Sequence, residues 1–103
     1  FMFWKDALRD LPGVRKLDPE RVVDGVGRRV AELRRERGWT QAELGERINF
    51  TLQYVARIEG GVNLTIHSLT HLANAFRVPI AALFEPPADA EPRRPGRPRK
   101  KGA

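Results

Sequence analysis

The chain contains no cysteine, which removes disulfide staples and thiolate metal sites and fits a reducing cytoplasm. It also lacks any long apolar run. The opening Phe1, Met2, Phe3 and Trp4 are interrupted by Lys5 and Asp6, too soon for a secretory leader or a membrane span. Internal repeats and coiled-coil heptads are missing, as are a glycine-rich phosphate loop, a nucleophile motif and an acid–base pair suited to a pocket. An enzyme is therefore not expected, nor a cofactor. His67 and His71 have the i, i+4 spacing of a metal pair, but no cysteine or nearby carboxylate cluster completes a ligand set, so no metal site is expected.

What is present is basic charge, unevenly placed. The net charge is +6, and Arg93, Arg94, Arg97, Arg99, Lys100 and Lys101 against Asp89 and Glu91 place +4 of it in residues 86–103. A near-neutral domain with a basic arm points to a polyanionic partner, nucleic acid first. With 103 residues, 41% of them hydrophobic, the sequence supports one small domain with a modest core plus arms. Three parts are expected: an N-terminal arm over 1–20, a helical domain over 21–85 and a Pro/Arg-rich tail over 86–103. Pro86 and Pro87 mark the last boundary.

The domain opens with a helix that Asp18 and Pro19 are placed to begin, carrying Val26, Val30 and Leu33 at helical spacing. Gly25 and Gly27 weaken its early part by about 1 kcal/mol each against alanine. Its Arg28, Arg29, Arg35 and Arg37 read most simply as a solvated face. Next, Thr40 and Glu43 form a capping box at the start of a second helix, in which Leu44 and Ile48 share one face. Gly45 leaves room there for a close helix crossing. Asn49 ends the second helix, because asparagine tolerates left-handed backbone geometry. Thr51 caps a third helix, Phe50 and Val55 stand as the two ends of a hydrophobic staple, and Val55 and Ile58 face the core. Leu52, Gln53, Tyr54 and Arg57 are left facing outward. A fourth helix starts at the cap Thr65 with an apolar stripe of Ile66, Leu69, Leu72, Ala73 and Phe76. Pro79 suits the first turn of a fifth, and its Ile80, Leu83 and Phe84 either form a dimer surface or complete the protomer core.

Two short helices joined by a tight turn over Thr40 to Gly61, TQAELGERINFTLQYVARIEGG, have the shape of a DNA-reading helix-turn-helix. With GRRVAELRRERGWTQ before them and IEGGVNLTIHSLTHLANAFRVPIAALFE after them, the sequence resembles the Xre and Cro group of phage-repressor-like proteins from Val23 to Glu85. It departs from the usual pattern at Gly45, where alanine is commoner, and at Asn49, where glycine is usual. The resemblance implies an all-α, five-helix, lambda-repressor-like DNA-binding fold with the third helix as reader. It further implies an internal pair between Arg34 and Glu59, a phosphate-anchoring role for Gln41 and a dimer surface near the fifth helix.

A B-DNA major groove admits one helix and exposes a distinct donor and acceptor pattern for each base pair. On that geometry Gln53 pairs with adenine, Arg57 with guanine or phosphate, and Leu52 with a thymine methyl, while Tyr54 meets the backbone. Thr51 lies at the same helix start, and Asn63 and Thr65 are placed to clamp phosphate. The tail PRRPGRPRKK resembles an AT-hook, with Arg93, Arg94, Gly96, Arg97, Pro98, Arg99 and Lys100 as its minor-groove residues, although Pro95 stands where arginine is usual. A nonspecific basic tail, or one serving only solubility, is the other reading, and without DNA either is expected to be disordered. In the N-terminal arm, Trp4, Leu8 and Leu11 recur at helical spacing before Pro12 and Gly13; ordinary packing, a dimer contact or a protein partner all fit.

The expected function is a sequence-specific transcriptional regulator in the cytoplasm, a homodimeric repressor reading a pseudo-palindromic site in double-stranded DNA. Competing readings are an antitoxin-like or partner-binding module in which DNA binding is secondary, and an architectural protein driven by its tail.

Overall fold

Asp18 and Pro19 start the first helix as their chemistry requires. The Asp18 carboxylate accepts from the Glu20 N–H at 3.1 Å, and Pro19 fills a position where its missing N–H has no intrahelical partner to lose. This helix, α1 (Pro19–Glu36), is followed by α2 (Gln41–Ile48), α3 (Leu52–Gly61), α4 (Ile66–Phe76) and a 3-10 helix over Ile80–Phe84. The computed structural model describes residues 16–88, and among these no strand occurs. Trp4, Leu8 and Leu11 of the arm, and the tail from Asp89 onward, lie outside the described residues.

Each of α2, α3 and α4 begins with a threonine cap. Thr40 Oγ1 accepts from Glu43 N at 3.0 Å while Glu43 Oε1 accepts from Thr40 N at 2.8 Å, the reciprocal capping box. Thr51 and Thr65 accept from Tyr54 N and Ser68 N, each at 3.0 Å. Asn49 ends α2 with φ 61°, and Arg77 ends α4 with φ 59°, both left-handed.

The apolar faces meet in one core of Val26, Val30, Leu33, Leu44, Ile48, Val55, Ile58, Leu69, Leu72, Phe76 and Leu83. Helix α1 packs chiefly on α3, and the 3-10 helix closes the core against α1 and α4. Two glycines permit this. A Cβ on Gly27 would stand 2.5 Å from the Ile58 carbonyl oxygen, so α1 can approach the end of α3 only where a side chain is missing. At Gly45 the tight neighbour is the Phe50 carbonyl oxygen, also 2.5 Å from an added Cβ, so the close crossing expected there is with the turn itself. By contrast, nothing lies within 4 Å of an added Cβ on Gly25. Gly25→Ala should therefore raise the unfolding free energy by about 0.5–1 kcal/mol through helix propensity, and Gly27→Ala should lower it by about 1–3 kcal/mol. Urea unfolding of both variants measures the difference; equal effects would exclude the close-approach explanation.

Three expectations need correction. The fifth helix is a five-residue 3-10 helix, bracketed by Pro79 before it and Pro86 after it. So short a segment between prolines takes the tighter winding that short pieces favour. Of its three proposed interface residues, Leu83 is 0% exposed and belongs to the protomer core, while Ile80 and Phe84 stay 39% and 52% exposed. Finally, Ile66 is 75% exposed and outside the core: it is the first residue of α4 and sits about 70° from the centre of the stripe formed by Leu69, Leu72, Ala73 and Phe76.

The arginines of α1 are also more than a solvated face. Arg28 pairs with Asp24 at 3.1 Å. Arg29 donates to the Ala82 carbonyl at 2.9 Å, to Glu32 at 2.6 Å and to Glu85 at 3.2 Å, clamping the 3-10 helix to α1. Arg37 donates to the carbonyls of Leu33 and Phe76 and lies over the Phe76 ring, joining the ends of α1 and α4. Only Arg35 of the four is exposed.

Glu32 accepts the Ala88 N–H at 2.7 Å, which ties the segment beyond the 3-10 helix back to α1. That bond, with the Arg29 guanidinium assisting against burial, holds the Glu32 carboxyl below the usual carboxylate range. A depressed folded-state value stabilises the fold above the unfolded glutamate value, and the contribution is lost as pH falls through the folded one. Acidification is expected to release this tie, seen as faster Ala88 amide exchange than the intrinsic pH trend gives. Glu32→Gln should flatten that response, and an identical response in both proteins would reject it.

Candidate nucleic-acid interface

The surface of α3 divides sharply. Val55 and Ile58 are fully buried, and on the opposite side Gln53 and Arg57 are exposed and Leu52 keeps 47% of its surface. Tyr54 is half-buried, its ring edge-to-face with Phe50 at 5.0 Å between centroids, so it sits at the margin of the exposed strip. Gln53 and Arg57 make no hydrogen bond or ion pair with the described residues, unlike Arg29, Arg34 and Arg37. One helix thus offers a forked cation, an amide and an apolar side chain together.

The far end of α3 is fixed from beneath. Arg34 of α1 grips Glu59 with two parallel hydrogen bonds, Nε to Oε2 at 2.6 Å and Nη2 to Oε1 at 3.1 Å, and donates from Nη1 to the Trp39 carbonyl at 2.7 Å. The two side chains are 12% and 7% exposed. A planar guanidinium suits this fork, and a charge this deep is tolerated because its partner is present. Gln41, first residue of α2, donates from Nε2 to the same carboxylate at 2.9 Å. The pair of Arg34 and Glu59 is thus present, and it gains a third member on α2 that spacing did not reveal.

Thr51 and Thr65 are exposed, with their hydroxyl oxygens engaged as helix caps, and Asn63 is exposed in the loop between α3 and α4. Thr65 also donates to the Ser68 hydroxyl at 3.2 Å. Sequence reading missed the stack behind α2: Arg47 lies 4.0 Å from the Trp39 ring centroid, and Trp39 stacks on Phe76 at 5.9 Å. The one signal was a tryptophan directly before the Thr40 cap. His67 and His71 lie edge-to-face at 4.7 Å, with His71 beside Phe50 at 6.3 Å. Among the described residues no three His, Cys, Asp or Glu side chains converge as a metal site would require.

Four helices placed this way, with an exposed α3 braced by α1 and α2, define a helix-turn-helix domain. The helix-turn-helix family profile matches residues 30–83, and the chain belongs to that family, an Xre-like one of DNA-binding transcriptional regulators rather than an enzyme class. It is 42% identical over 62 residues to an uncharacterised helix-turn-helix-type transcriptional regulator, y4dJ, of Sinorhizobium fredii, covering 59% of this chain and 80% of that one. Among solved structures it is similar to the restriction-modification controller protein C.AhdI of Aeromonas hydrophila, with TM-score 0.58 and 28% identity over 60% of this chain and 96% of that one. It is also similar to SinR, the master regulator for biofilm formation, solved in complex with DNA, with TM-score 0.55 and 26% identity over 58% and 98% of the two chains. No helix among the described residues is long and apolar enough to cross a membrane.

Proposed function

We propose that this chain is a cytoplasmic, sequence-specific repressor that binds a pseudo-palindromic operator in double-stranded DNA as a homodimer. The observation that carries the reading is the exposed strip of α3, where Leu52, Gln53 and Arg57 are held outward on a helix whose other face is locked in the core. In a major groove, Gln53 matches the paired donor and acceptor of adenine, Arg57 the two acceptors of guanine, and Leu52 a thymine methyl. Tyr54 and Thr51 lie beside the strip, and Gln41, Asn63 and Thr65 sit at helix starts and loops suited to phosphate. Ile80 and Phe84 supply the dimer contact, bringing two α3 helices to successive major grooves about 34 Å apart. Bound at a promoter, such a dimer represses by occupying the duplex.

The expected 21–85 domain extends at its start to Asp18 and Pro19, which begin α1, with the rest of the arm and the tail outside it. Arg93, Arg94, Gly96, Arg97, Pro98, Arg99 and Lys100 add minor-groove or backbone contacts, raising affinity more than specificity. Selection of sites from random duplex DNA at near-physiological salt tests the reading, using the full chain and one ending at Ala88, which keeps the tie to Glu32. A shared inverted repeat supports dimeric groove reading, and A/T-rich flanks with the full chain alone support a hook. No enriched sequence with either chain would shift the case to a partner-binding module.

A further inference from the structure

Glutamine side chains carry two N–H donors and one acceptor, and which end faces outward is ordinarily free to change. In Gln41 it is not. Its Nε2 donates to Oε1 of Glu59 at 2.9 Å, and an ionised carboxylate only accepts, so the amino end must face Glu59. Glu59 in turn cannot swing, because Arg34 holds both of its oxygens and the carboxylate is 7% exposed. One of the two Gln41 N–H groups is thereby engaged, and the other makes no hydrogen bond with the described residues.

We propose that Glu59, clamped by Arg34, is a positioning residue for DNA binding: it orients the Gln41 amide so that its second N–H meets a backbone phosphate. This rests on the DNA-binding reading above and adds the residues that make one contact specific in place. Arg34 has a second effect. A bare carboxylate beside Gln41 would repel an approaching phosphate, and the paired guanidinium neutralises it. Because Arg34, Gln41 and Glu59 come from α1, α2 and α3, the same three side chains set the distance between the phosphate anchor and the base-reading strip around Gln53 and Arg57.

The chain has two glutamines, Gln41 and Gln53, so labelling with 15N-glutamine gives two side-chain amide groups with two proton signals each, assigned by Gln→Ala substitution. In the free full-length protein, one Gln41 amide proton should be shifted and slow to exchange, and the other ordinary. Adding a duplex that carries the selected site should move the ordinary one. Gln41→Ala should weaken binding to that duplex about tenfold, one hydrogen bond to a charged group. Glu59→Gln, at a temperature where circular dichroism shows it folded, should lose several-fold alone and nothing more when combined with Gln41→Ala. Two equivalent, fast-exchanging Gln41 protons in the free protein would overturn the proposal. So would a folded Glu59→Gln that binds within twofold of wild type. Should that variant not fold, the free-protein spectrum decides by itself. Failure of the wild-type chain to bind any selected duplex counts against the DNA reading instead, since the spectrum needs no DNA.

Discussion

Glu59→Ala is expected to lower the unfolding free energy by about 3 kcal/mol, a large fraction of what a domain this small possesses. The truncation leaves the Arg34 guanidinium, 12% exposed, without its carboxylate, retaining only the Trp39 carbonyl as a partner at 2.7 Å. Arg34→Ala should cost a similar amount, since Glu59 would keep Gln41 alone. The two losses should not add, because the second substitution removes a charge that the first has already orphaned. Arg34→Met with Glu59→Leu is accordingly expected to lie nearer wild type than either single alanine variant, as replacing a buried pair with apolar side chains of similar volume often does. Urea titration gives all four values, provided the slope with denaturant is unchanged. Single variants within 1 kcal/mol of wild type would mean that the pair is solvated in solution.

Gln53→Ala combined with Arg57→Ala is expected to abolish discrimination between a selected duplex and a scrambled one. Each bidentate base contact contributes about 1–3 kcal/mol, so losing both reduces the specific affinity by roughly a hundredfold or more. Stability should change by less than about 0.5 kcal/mol, because both side chains are exposed and make no hydrogen bond or ion pair with the described residues. Residual binding should be steeply dependent on salt, carried by the basic tail. Fluorescence anisotropy with both duplexes at two salt concentrations separates these effects. Unchanged discrimination by a folded double variant would place base reading elsewhere in the chain. Complete loss of binding only when residues 89–103 are removed would favour the tail-driven alternative.

The helix starts were legible in the linear sequence at Asp18, Thr40, Thr51 and Thr65, because a cap and its target N–H are two or three residues apart and need no tertiary context. Asn49 was legible for the same reason: a left-handed residue is a local demand. Core faces followed from spacing, with errors where an element meets its edge. Ile66 fits the stripe in number but lies at the first turn of α4, where the neighbouring helices no longer cover it. The exposed strip of α3 was readable too, as the complement of Val55 and Ile58.

Charged side chains behaved otherwise. Arg29, Arg35 and Arg37 read alike as a solvated face, yet Arg37 binds a carbonyl 39 residues away and Arg29 a carbonyl 53 away, while Arg35 meets solvent; Arg34 binds a carboxylate 25 away. Leu83 and Phe84 are adjacent in the chain, but one is sealed in the core and the other half-exposed. The amino-acid sequence by itself determined the four α-helices, their caps, the turn at Asn49 and the outward face of α3, all products of interactions within a few residues. Only the tertiary structure decided that Arg29 and Arg37 are structural as well as Arg34, that Gly27 must lack a side chain and that Gln41 shares a carboxylate with Arg34. Those outcomes depend on which helices come into contact, and a long side chain finds its partner across that contact and not along the chain.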